Sequence, residues 1–514
     1  MRTPAPLRRR LVTATALGTL LCGALLGTSL AAPAGAAPVA AAPAAANPTV
    51  TTPPAGSHGF PFLAAAEDLG SFGYTEKEYF VAGTATAYAK SGLWTSDGRW
   101  DVRASGTAAY KSRLLVRRPA DPAKFNGTVV VEWLNVSGQL EISPDYWFQR
   151  DELLRQGYAW VGVSAQAVGV NGGRGPIKGL KGWDPARYGS LVHPGDAFAY
   201  DIFSQAGQAL RTPDGPDPLG GLHADTLLAD GESQSAGFMT TYVNAVQPVS
   251  QVYDGFMVHS NSAVAAPISG VLADTLRMPD PSRIRTDRPE PTFVVLTETD
   301  VPGAASARQP DTESVVHWEL AGTAHGDQWA YDLGDPTLRK SAGAAAPSAD
   351  CAAGSAPFND GPGHWAMNTA LRHLSGWARG GARPPGGQPL STVLRDPATG
   401  LATGGIRLPD VTVPTRTLSG SRSTTGSGVF CGLYGATDPW NGDADAWDRH
   451  DEGDPSDRSF PRTAEPVLSR LYPTHDDYVG KVRAAAQRSV AAGYLLPEDA
   501  TAIVTAAQDS GIGG

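Results

Sequence analysis

A short apolar run, Asp225-Thr-Leu-Leu-Ala-Asp230, leads directly into Gly231-Glu232-Ser233-Gln234-Ser235-Ala236-Gly237. A serine at the apex of a small-residue turn between a strand and a helix has its hydroxyl lifted clear of the sheet, where it can attack a carbonyl carbon. Small residues are required because the backbone at such an apex is strained and packs close to its neighbours. The match to G-x-S-x-G is degenerate, with Ser235 standing where the last glycine belongs. One frame, Gly231 to Ser235, centres on Ser233. The other, Ser233 to Gly237, centres on Ser235. The first starts where the apolar run stops, which favours Ser233. The plainer reading is a serine-rich helix start in which Ser233 or Ser235 only caps.

A serine nucleophile needs a base to take its proton and an acid to orient the base. Pro291-Thr-Phe-Val-Val-Leu-Thr-Glu298-Thr-Asp300 is a β-branched run that closes on two acids. His317-Trp-Glu-Leu-Ala-Gly322-Thr-Ala-His325 is a second such run, followed by a glycine turn and a histidine. Serine, acid and histidine thus follow one another in the chain, each just past a predicted strand. His325 is favoured as the base over His259, His317 and His364, which fall inside or before predicted elements. Glu298 and Asp300 are two residues apart and can share a face of an extended segment, so either carboxylate fits the acid role.

Serine-acid-histidine is the chain order of the α/β-hydrolases. Gly231 to Ala236, Thr297 to Asp300 and Ala321 to His325 resemble the secreted bacterial "alpha/beta hydrolase domain-containing" family. So do Val131-Glu-Trp-Leu-Asn-Val136, Gly404 to Pro409 and Cys431 to Gly435. The likeness runs from about residue 73 to about residue 512. It implies an α/β-hydrolase fold and a Ser233–Asp300–His325 triad, with Glu298 as the alternative acid. It also implies an oxyanion hole built from the N–H of Gln234 and the loop after the third strand, around Leu134 and Asn135. Asn135 is alternatively a turn residue serving only its own loop.

These elements must be positioned by a sheet. Residues 79–88 and 109–117 alternate like antiparallel strands, whereas Gly127 to Trp133 is a continuous buried run. Further strands are predicted at 158–164 and 253–259, with helices at 146–156, 198–210, 238–245 and 365–379. Strand and helix alternate, as in a mostly parallel, doubly wound α/β sheet flanked by helices. Residues 59–385 form the predicted core. Within it 264–290 is expected to be a lid, and 386–514 an extension packed on the core that ends in helices over 479–492 and 497–509.

Residues 1–36 read as a signal peptide: Arg8-Arg9-Arg10, an apolar stretch from Leu11 to Leu30, and a small-residue cleavage site at Ala34-Gly-Ala36. Export is expected by the general secretory or the twin-arginine route, giving a secreted protein without a membrane anchor. Residues 37–58, rich in Ala and Pro, are expected to be a disordered leader. Removing residues 1–36 takes away four arginines and no acids, leaving 37 basic against 51 acidic residues, a net charge of −14. That balance argues against a nucleic-acid partner, which needs clustered Lys and Arg. Two cysteines then remain, Cys351 and Cys431, and an even pair in an exported chain reads as a disulfide.

No H-E-x-x-H or paired C-x-x-C motif occurs, and neither a metal nor a cofactor is expected. The acidic stretch 443–457 reads as a solvated loop in preference to a calcium site. The function expected is a secreted serine hydrolase, a carboxylesterase working through an acyl-enzyme. Its substrate is expected to be a small uncharged ester, with an aromatic preference hinted at by Trp133, Tyr146, Trp147 and Phe148. A peptidase, amidase or acyltransferase using the same triad is the alternative among enzymes. A catalytically silent secreted binding protein is the alternative outside them.

Overall fold

Strands covered on both faces read as unbroken apolar runs, and such runs make up the centre of this protein. A computed structural model describes residues 45–173, 179–343, 351, 356–421, 430–440 and 467–514. The predicted signal peptide, residues 37–44 of the leader and the acidic stretch 443–457 lie outside them.

Nine strands form the main sheet: β1 (Thr49–Thr51), β2 (Tyr74–Ser91), β3 (Asp101–Pro119), β4 (Thr128–Trp133), β5 (Ala159–Val163), β6 (Thr226–Glu232), β7 (Gly255–His259), β8 (Thr292–Thr297) and β9 (Val315–Leu320). Their order is β1-β2-β3-β5-β4-β6-β7-β8-β9. The first three join antiparallel at one edge, and the six from β5 to β9 are parallel. Every residue of β4, β6, β7 and β8 is buried.

Helices cover both faces. On one lie α1 (Pro144–Arg155) and, later in the chain, the helix Gly363–Ala378; on the other lie α2 (Ala199–Arg211) and α3 (Gln234–Thr241). The helix Gln328–Ala342, here α4, follows β9, so that Gly363–Ala378 is α5, and α6 (His475–Ala491) and α7 (Pro497–Gln508) end the chain. The predicted mostly parallel, doubly wound sheet is therefore present, with an additional edge strand.

That edge strand corrects the reading of residues 37–58 as a disordered leader. Thr49–Thr51 pairs with β2, Val50 is buried, and the Asn47 amide donates to the Thr212 carbonyl. A three-residue strand with one buried valine leaves too short a pattern to stand out from an Ala/Pro-rich background.

The C-terminal region is tied into the sheet's parallel end by several contacts. Arg155 pairs with Asp499, the Arg372 guanidinium bridges Glu152 and Glu498, and the Leu390 N–H donates to Glu319. Two short hairpins belong to it, β10 (Leu390–Arg395) with β11 (Ala402–Gly404) and β12 (Arg416–Ser419) with β13 (Ala436–Pro439). Cys351 and Cys431 are joined in a disulfide across 80 residues, as the pairing in the sequence led one to expect. Closing a loop of that length is worth roughly 4 kcal/mol of unfolded-state entropy. Replacing Cys351 by Ser should lower the unfolding free energy by up to about that amount in a urea titration. An unchanged midpoint would show that the link does not stabilise the fold.

Candidate active site

The parallel strands deliver the ends of β4, β6, β8 and β9 to one edge of the sheet, and the candidate residues gather there. Ser233 follows β6 with φ 58° and ψ −118°, a left-handed backbone that costs a non-glycine residue about 1–3 kcal/mol. Its N–H donates to the His259 carbonyl of β7 at 2.9 Å, which pins the turn to the neighbouring strand. Gly231 permits the tight return of the chain: a Cβ there would lie 3.0 Å from the Ser235 carbonyl group. Ser233 lines a pocket, whereas Ser235 is wholly buried beneath the turn and its hydroxyl has no partner among the described residues. The geometry thus favours the frame centred on Ser233.

His325 sits in the loop after β9 and lines the same pocket. Its Nδ1 is 2.6 Å from Asp300 Oδ1, and the other Asp300 oxygen accepts from the Thr297 N–H at 3.1 Å and from the Thr297 hydroxyl. Glu298 does not reach the histidine. Its carboxylate accepts from the N–H groups of Gly322 and Gly420, both at 2.9 Å, and pairs with Arg395 at 2.6 Å. It therefore ties the histidine loop to the C-terminal region, and Gly322, at φ 72° with its Cβ position 2.7 Å from Val411, fits that crowded turn. Burial alone would push His325 down, but Asp300 and Glu232 outweigh it and hold the imidazole well above the ordinary histidine value. Burial would likewise raise Asp300, and His325 reverses the sign.

The expected oxyanion loop needs correction. The Leu134 N–H donates to the Val163 carbonyl and the Asn135 N–H to the Ile142 carbonyl, so neither is free for a ligand. The Asn135 side chain turns to Glu232, donating to its carbonyl and to its carboxylate, both at 3.1 Å. Asn135, Ser137, Gly138, Leu140 and Ile142 of this loop line the pocket. The loop is braced from below: buried Arg113 holds Glu141 at 2.5 Å and Glu78 at 3.3 Å. Breaking such a buried pair costs about 3–5 kcal/mol. Gln234 opens α3, where the first N–H groups have no partner within the helix.

Sequence reasoning passed over two acids. Glu232 ends β6 and its carboxylate lies 2.9 Å from His325 Nε2. Asp145, at the start of α1, lies 2.9 Å from His259 Nδ1, a second histidine–carboxylate pair that is fully buried and does not reach the pocket. Burial holds His259 neutral, down to about 4. Asp230 and Glu232, two residues apart in an otherwise apolar strand, were the signal available.

The pocket holds about 870 Å³ of space, open solvent at its mouth included. Trp147 and Phe148 line it, as expected, but Trp133 and Tyr146 are core residues. Its outer wall is α4 together with Phe430, Leu433 and Tyr434. No residue of 264–290 contributes, which overturns the expected lid. That stretch packs instead over α2, α3 and the turn after it, and the tip of the β2–β3 hairpin, through Tyr200 to Pro267, Gly237 to Ala266, Asn244 to Arg285 and Arg283 to Ser96.

The chain belongs to the alpha/beta hydrolase domain family, whose profile matches residues 46–505. No curated protein matches it in sequence. Solved structures similar to it include XC6422 from Xanthomonas campestris, described as an a/b serine hydrolase without lid (13% identity, 50% of this chain and 94% of that one, TM-score 0.27). Others are the esterase Est22 (13% identity, 50% and 76%, TM-score 0.29) and a glucuronoyl esterase from Solibacter usitatus (11% identity, 48% and 76%, TM-score 0.26).

The two acids after β8 can be separated by experiment. Asp300→Asn should slow covalent modification of Ser233 by a fluorophosphonate by about 10³-fold or more, since the imidazole loses its orienting carboxylate. Glu298→Gln should chiefly lower the melting temperature. The reverse pattern would make Glu298 the acid.

Proposed function

We propose that this protein is an exported serine hydrolase, acting as a carboxylesterase through an acyl-enzyme. The observation that carries the reading is the convergence of Ser233, at its strained turn, and the Asp300-held His325 on one apolar pocket. Ser233 attacks the ester carbonyl and His325 takes its proton. The Gln234 N–H faces the developing oxyanion, and His325 then returns the proton to the leaving alcohol. Water repeats the sequence on the acyl-enzyme. Export is supported by the N-terminal sequence pattern together with the disulfide. Among the described residues no helix is long and apolar enough to cross a membrane.

The lining supports uncharged, apolar acyl or alkoxy groups. Leu140, Ile142, Trp147, Phe148 and Leu433 supply apolar wall, and Glu232 and Asp335 are the charged residues besides His325. Among the described residues no Lys or Arg lines the pocket, so an anionic substrate finds no cationic partner in its wall.

Fluorophosphonate treatment followed by peptide mapping should place the label on Ser233, and Ser233→Ala should lose at least about 10³-fold in p-nitrophenyl ester turnover. Short and medium uncharged esters should outpace a polyester film or a peptide amide. Labelling at Ser235, or full turnover in Ser233→Ala, would overturn the reading.

A further inference from the structure

A general base must offer Ser233 a neutral imidazole with the Nε2 lone pair toward its hydroxyl. The arrangement here differs. His325 Nδ1 faces Asp300 at 2.6 Å while Nε2 faces Glu232 Oε1 at 2.9 Å. A negative carboxylate that close to the ring nitrogen favours the protonated imidazole over the neutral base. Glu232 therefore favours one proton more on His325 than a working base can carry. The carboxylate is built into place. Glu232 ends β6 beside Ser233, is nearly fully buried, lines the pocket, and is aimed by the Asn135 amide, which donates to its Oε2 and to its carbonyl.

We propose that Glu232 is a positioning residue that holds His325 by Nε2 in a resting arrangement and sets the pH at which Ser233 becomes reactive. The inference rests on the serine-hydrolase reading above. The step balances simply. The Nε2 proton leaves to solvent through the pocket, His325 becomes neutral, and its Nε2 lone pair is repelled by the Glu232 carboxylate. The ring then turns to Ser233 and accepts the hydroxyl proton as the Oγ–C bond forms.

Among the other titratable groups around the pair, Asp300 also raises His325. Asp300, from the loop after β8, holds the opposite nitrogen. His259 of β7 is neutral, and Asp145 of α1, raised by burial and then by Glu232, is spent on His259. Two carboxylates raise His325, so the neutral base is gained only as pH rises through that elevated value. Removing one of them moves the transition to lower pH.

The test is the rate of fluorophosphonate acylation of Ser233 between pH 5 and 9, in the wild-type protein and in Glu232→Gln. The acid limb should move down by at least about one pH unit, a tenfold gain in neutral imidazole on its acid side. Glu232→Asp, whose shorter carboxylate still carries charge, should fall between the two. An NMR titration of ¹⁵N-labelled imidazole should show His325 ionising above the ordinary histidine value in the wild type and lower in Glu232→Gln. An unmoved limb, or a His325 titration identical in both proteins, would overturn the proposal. Should the wild type resist labelling at every pH, the nucleophile reading fails, and the NMR titration still decides the role of Glu232.

Discussion

The turn at Ser233 is the constraint around which the site is arranged. A serine at φ 58° does not stay there unaided, and the strain of about 1–3 kcal/mol has to be met by surroundings that forbid relaxation. They do so in three ways. β6 is central in the sheet, between β4 and β7, so its end cannot shift. The Ser233 N–H is taken by the His259 carbonyl, and Gly231 lets the start of α3 fold back within contact distance. The same turn fixes three neighbours at once: Glu232 in the sheet plane, Ser233 above it and Gln234 at the helix start. Because the flanking strands are parallel, the loops carrying Asp300 and His325 leave the same edge and arrive where that turn points.

The C-terminal region completes the site as well as covering the sheet. Glu298 binds the backbone of Gly322 on the histidine side and of Gly420 on the C-terminal side, with Arg395 as its counter-charge. The Gly326 N–H donates to the Leu433 carbonyl, so the residue after His325 is held by the segment that forms the pocket wall. The disulfide fastens Cys431, next to Phe430 in that wall. The acid that the sequence offered as an alternative to Asp300 is thus a structural fastener, two residues away and turned to other partners.

Much of this was legible in the sequence because it rests on local rules. Buried parallel strands are continuous apolar runs, and the turns that end them carry Gly, Ser and Asp, so strand ends and the residues just past them could be read. What was not legible depends on tertiary partners. The helix Gln328–Ala342 carries Gly334 and Pro336, which mask its periodicity, and packing holds it. An insertion such as 264–290 reads the same whether it covers the pocket or the opposite face. The Leu134 and Asn135 N–H groups looked free until their acceptors, Val163 and Ile142, came from elsewhere in the fold. Glu232 was passed over for a related reason: its meaning lies in a histidine 93 positions further along the chain.

The central claim is that chemistry passes through a covalent bond to Ser233. Acid quenching during turnover of a p-nitrophenyl ester, followed by peptide mass mapping, tests it most directly. An acyl group found on Ser233, and absent when His325 is replaced by Ala, is the result this account predicts. Product accumulating with no acylated serine, or with the acyl group on Ser235, would contradict it.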